Sequence, residues 1–278
     1  RHVIIPGHTS PTMVTMPRPD RPQQDSASYR AKKQFFDSLL TVYGRKPVLE
    51  ALRDPAVKLF RLHLAESNKP AGILDEILGI ARSQGADIQY HDRKALSRIS
   101  KNSKQDQGVA ADLQCRAYQS LDQFLSQPPR PEFRLLALDR ITNPQNLGMI
   151  IRSACAGNVD GILLPQKGGA QIDALVIKAS AGTVFRAPII HCPTLPEALA
   201  KLREAGATIC ALSSHASQTL GDFNPTGGSV YVLGNETEGV STETAKHCNH
   251  QLSIPMNNGV ESLNVAVTAA LIAFQDAI

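Results

Sequence analysis

Three stretches in the second half of the chain concentrate residues able to do chemistry: ITNPQNLGMIIRSA (141–154), LGNETEGVS (233–241) and IPMNNGVESLNVAVTAALI (254–272). Each mixes Asn, Gly or Pro with a few polar side chains. Loops of that composition expose backbone N–H and C=O groups at close range. Such groups suit an adenine or a small zwitterion, which needs directional hydrogen bonds more than charge. Arg152 differs in kind. It falls six residues after Asn146 among Ile150, Ile151 and Ala154, and a guanidinium that keeps its proton needs an anion or an acceptor. Asn264 stands at the mouth of an apolar helix, where its amide requires a partner from the protein or from a ligand. Each residue also has an ordinary structural reading. Arg152 pairs with Asp139 or Asp160, Asn146 caps its helix, Ser262 caps the last helix, Glu236 is solvated, and Gly234 and Gly239 only permit tight turns.

The elements that must position these loops are readable. Strands are expected at 135–139, 161–165, 207–213, 229–234 and 250–255, with helices at roughly 146–156, 195–205 and 262–277. Strands alternating with helices imply a mostly parallel sheet covered on both faces, with ligands beyond the carboxyl ends of its strands. The first half reads as a smaller α/β unit: helix 49–54, strand 57–65, helix 73–83, and strands 86–91 and 108–113. QPPRPEF (127–133) is a proline-rich hinge. The expected division is therefore 1–30, a flexible proline-rich extension; 31–126, the small α/β unit; 127–134, the linker; and 135–278, the larger α/β domain.

Composition narrows the function. The 278 residues are 42% hydrophobic with no Trp, and no apolar run approaches the length needed to span a bilayer. Five scattered cysteines without a CxxC pair suit reduced thiols in the cytoplasm or an organelle matrix. His247, Cys248 and His250 lie close together, but without a second ligand cluster no metal is expected. No GxG, GxxxxGK[ST] or GxSxG occurs, which removes the dinucleotide fingerprint, the P-loop and the serine-hydrolase elbow. Charge is uneven: residues 31–113 carry fourteen Lys/Arg against ten Asp/Glu, whereas 135–278 carry eight against eleven. Within RKALSRISKNSK (93–104) stand five cations and no acid, a hint of a polyanionic partner.

Taken in order, Asn143, Asn146, Gly148 and Arg152, then LGNETEG (233–239), then IPMNNGVESLNVAV (254–267), resemble the three motifs of the SpoU/TrmH branch of the SPOUT methyltransferases. The segment from VYGRKPVLEAL at Val42 to KQDQGVAADL (104–113) resembles the substrate-recognition domain of the branch's ribosomal RNA members. Two departures are small: SACAGNVDG after the first motif, and Thr237 where Gly is common.

The resemblance implies a deep C-terminal trefoil knot, a homodimer through the knotted domain, and S-adenosylmethionine held by Gly234, Ile254, Met256, Leu263 and Asn264. It implies methyl transfer to a ribose 2′-hydroxyl of RNA, most simply a guanosine of large-subunit ribosomal RNA. Arg152, Asn146, Glu236, Ser262 and Asn264 would carry the chemistry. Arg152 is the family's activator of the hydroxyl. Its high pKa makes a phosphate clamp and alkoxide stabiliser the easier role physically. Lys101, Lys104, Arg98 and Arg93 are the expected RNA contacts. The alternatives are an inactive RNA-binding or ribosome-assembly factor, and the same chemistry on tRNA.

Overall fold

The fold is given by a computed structural model that describes residues 35–36 and 39–276; the extension read over 1–30 lies outside them. The first half folds around a four-stranded sheet of β1 (Leu39–Tyr43), β2 (Val57–Ala65), β3 (Asp87–His91) and β4 (Val109–Cys115), in the order β1-β4-β2-β3. Only β2 and β3 run parallel. Helices Arg45–Leu52 and Ile73–Ser83 bury Val48, Leu49 and Leu52, and Leu74, Ile77 and Leu78, respectively, in the core. A third helix, Arg93–Ser100, was not foreseen from the cation run. Asp92 caps it by accepting from Ala95 N at 2.7 Å, and it buries Leu96 while its basic residues stay exposed.

The second half is an eight-stranded sheet in the order β10-β12-β9-β11-β6-β7-β8-β5, with every neighbouring pair parallel. Its strands are β5 (Gln119–Ser120), β6 (Arg134–Leu138), β7 (Gly161–Pro165), β8 (Ile189–Cys192), β9 (Thr208–Leu212), β10 (Gln218–Thr219), β11 (Ser229–Leu233) and β12 (His250–Ser253). The inner strands are apolar throughout because both faces are covered. Leu135 and Ala137 join the layer under helix Leu195–Glu204. Leu136 and Leu138 face the opposite layer, formed by helices Pro144–Ala156 and Val265–Ala273. Those two helices pack on each other, and Gly148 brings the first against Ala174–Ala179: a Cβ there would stand 2.5 Å from that of Ala179.

Two expectations need correcting. The last helix starts at Val265, not 262, because Asn264 is its N-cap; residues 260–264 are exposed. Residues 119–126 pair and pack with the large sheet rather than with the small unit. Here β5 pairs with β8, and helix Leu121–Ser126, closed by a Ser120/Gln123 capping box, buries Phe124 in the larger domain. Strands β1 and β8 and helix Ala174–Ala179 went unread; all are short.

Candidate active site

The loop after β11 closes on itself. Asn235 N donates to Gly239 O at 3.1 Å, Gly239 N returns the bond to Asn235 O at 2.8 Å, and Thr237 N donates to Asn235 Oδ1 at 2.9 Å. Gly234 lies so close to the returning backbone that a Cβ would sit 2.1 Å from Gly239 C. This hairpin forms one wall of a cavity of about 520 Å³ at the carboxyl ends of β9, β11 and β12, the end where a parallel sheet is expected to bind. The cavity brings together Gly234, Glu236, Ile254, Met256, Ser262 and Leu263, six of the residues singled out from sequence. Its lining includes Glu236, Glu238 and Glu261 and no Lys or Arg; Glu238 is paired with Arg140 from outside the wall, which leaves Glu236 and Glu261 as the carboxylates without an ion-pair partner among the described residues. Such a wall favours a cation or zwitterion over a phosphate.

Behind the cavity, three distant segments meet through side-chain amides. Asn264 Nδ2 donates to Asn146 Oδ1 at 3.1 Å, and Asn146 Nδ2 donates to Glu236 Oε1. Asn264 Oδ1 accepts from Ala266 N at 2.8 Å and caps the last helix. The Asn264 amide is thus satisfied by the protein itself. Asn146 is buried and does not cap its own helix; Asn143 does, accepting from Gln145 N at 2.9 Å and Asn146 N at 3.4 Å. Pro144 at the first helical position was the available signal for that cap. Neither Asn146 nor Asn264 lines the cavity, which they reach through Glu236.

Arg152 stands apart. It lies on the exposed stripe of helix Pro144–Ala156 with Gln145, Met149 and Ala156, about 120° around the axis from Asn146. It pairs with neither Asp139 nor Asp160. Asp139 accepts from Ser241 N at 2.6 Å, and Asp160 accepts from Arg130 Nε at 2.9 Å and Arg134 N at 2.8 Å. Among the described residues Arg152 has no hydrogen-bond or ion-pair partner and is not part of the cavity wall. Arg93, Arg98, Lys101 and Lys104 are likewise exposed and unpaired among the described residues.

His247, Cys248 and His250 do not converge. The Cys248 thiol, pushed up to about 11 by burial and the Asp139 charge, donates to Thr244 O at 3.6 Å, and the His250 ring packs on Phe223. Among the described residues no group of His, Cys, Asp and Glu is arranged to hold a metal ion, and no helix is long and apolar enough to cross a membrane. Arg140, which sequence reasoning passed over, donates to Glu238 and, at 3.3 Å, to Gly239 O.

Comparison with known proteins shows the family and the fold. The model of the SpoU rRNA Methylase family matches residues 134–274, and that for RNA 2′-O ribose methyltransferase substrate binding matches 41–119. An uncharacterized tRNA/rRNA methyltransferase of Mycolicibacterium smegmatis is 33% identical over 263 residues, covering 92% of this chain and 83% of the relative. A second, from Mycobacterium leprae, is 33% identical over 267 residues, covering 96% and 85%. The fold is similar to the SpoU methyltransferase AviRb from Streptomyces viridochromogenes in complex with AdoMet, at 24% identity, TM-score 0.57, and 90% and 92% coverage. It is also similar to an AdoMet-bound rRNA methyltransferase from Sinorhizobium meliloti, at 22% identity, TM-score 0.58, and 90% and 89% coverage.

Proposed function

The chain belongs to the SpoU methylase family, an RNA methyltransferase family dependent on S-adenosylmethionine, and from that premise we propose that it methylates a ribose 2′-hydroxyl of large-subunit ribosomal RNA, on a guanosine. The observation that carries the reading is the acidic, cation-free cavity of about 520 Å³ backed by the Asn264–Asn146–Glu236 chain of amides and carboxylate. Its size is that of a small-molecule site. Gly234, Ile254, Met256 and Leu263 would hold the cofactor, largely through backbone. Bound there, S-adenosylmethionine would supply a methyl already activated by its sulfonium. The protein's task is orientation and charge.

In this reading Glu236, fixed by Asn146, and Ser262 position the ribose. Arg152 would clamp the adjacent phosphate and stabilise the negative charge that develops on the ribose oxygen as its proton passes to water. Because Arg152 lies outside the cavity wall, we place it opposite a second copy of the chain. Its stripe carries the exposed Met149, 40% accessible, and the neighbouring last helix presents Val267 at 47%. A homodimer through this face would cover both. Light scattering that finds only monomer would refute that arrangement. The C-terminal knot and the cytoplasmic location are carried over on the same terms. The small unit would capture RNA through Arg93, Arg98, Lys101 and Lys104.

A second acceptor stays in view because the relatives are named for tRNA as well as rRNA. Labelled S-adenosylmethionine offered with unmodified large-subunit ribosomal RNA and, separately, with a tRNA pool decides between them. We expect label in the ribosomal RNA; label confined to tRNA would overturn the assigned acceptor.

A further inference from the structure

We propose that Arg140 is the positioning residue that holds the cavity-facing hairpin 235–239 in its ligand-ready shape; the inference rests on the reading of that cavity as the S-adenosylmethionine site. Arg140 follows β6 and adopts φ 58°, the left-handed region that is unfavourable for most residues other than glycine, Asn and Asp. A glycine would make the same turn without strain, so the backbone path alone does not account for an arginine here.

Its contacts do. The Arg140 carbonyl accepts from Asn235 Nδ2 at 3.1 Å, one arm of its guanidinium donates to the Glu238 carboxylate, and the other donates to Gly239 O at 3.3 Å. Asp139 beside it accepts from Ser241 N at 2.6 Å, fixing the end of the loop. The charged groups around the guanidinium are Glu238 and Asp139, the latter 3.9 Å from Nε. Hairpin residues 235–239 all line the cavity, so Arg140 grips from outside a segment whose inner side meets the ligand. The segment is flanked by Gly234 and ends in Gly239 at φ 68°, and glycines leave a loop much freedom to lose on binding. Ordering it beforehand raises affinity by removing that cost from the binding step. A half-exposed ion pair alone contributes little. Here the same guanidinium also takes the Gly239 carbonyl, so the side chain holds the closing end of the turn while the Arg140 main-chain carbonyl holds Asn235 at its opening end.

The test is calorimetric titration of the full chain with S-adenosylmethionine, alongside thermal melting and RNA binding. Arg140→Gly should weaken cofactor binding about tenfold, with melting temperature and RNA affinity unchanged. Arg140→Lys should recover part of the loss. The swap Arg140→Glu with Glu238→Arg should bind more tightly than either single variant. Wild-type cofactor affinity in Arg140→Gly, a swap no better than its parents, or a fall in melting temperature that explains the loss would each overturn the inference. Failure of the wild-type chain to bind S-adenosylmethionine would overturn the reading of the cavity, and the inference with it.

Discussion

Asn264 uses both ends of one amide: its oxygen caps the last helix and its nitrogen reaches Asn146. The two jobs are separable. Asn264→Asp keeps a capping oxygen but loses the donor, so methyl transfer should fall while the melting temperature holds. Asn264→Ala loses both and should also cost about 1 kcal/mol of stability. Equal turnover in Asn264→Asp and wild type would dismiss the amide chain as mere scaffolding. Arg152, exposed and unpaired among the described residues, makes the converse case. Arg152→Ala should abolish transfer with cofactor affinity and melting temperature unchanged, and near-wild-type turnover would refute its role. The residue types of this site were legible because three loops of like chemistry fall in order along the chain. That Asn146 is the hub was not, since its partners lie 90 and 118 positions away and only the fold joins them.

At the level of elements, continuous apolar runs such as GILLP and SVYVL read true as buried parallel strands. β8 did not read, being four residues after a proline, with no alternation to separate it from a loop. It carries the sheet's clearest pH liability. Burial pushes His191 down from 6.5 to about 4, and its Nε2 has no hydrogen-bond partner. The unfolded chain therefore takes up this proton at higher pH than the folded one. Stability should be full above pH 6.5 and decline as pH falls toward 4. Denaturant titrations at neutral and mildly acid pH check this: His191→Leu should flatten the profile, and an unchanged slope would clear His191. The start of the last helix was misread by three residues for a related reason. Ser262 and Asn264 are both good caps by composition, and only the bond to Ala266 N selects the second.

Across the whole molecule, charge and chemistry are divided. The small unit carries the basic excess and the exposed cations of helix Arg93–Ser100 and its following turn, while the cavity wall of the large domain is acidic. Reversing Lys101 and Lys104 to Glu should weaken RNA binding and flatten its salt dependence without changing cofactor affinity; unchanged RNA affinity would remove these lysines from the interface. The proposed activity is defined by the atom that receives the methyl. The most direct measurement is mass spectrometry of nucleosides released from RNA methylated by the purified chain with labelled S-adenosylmethionine. A 2′-O-methylnucleoside is the predicted product. Label on a base, or no label from a chain that binds the cofactor, would contradict it.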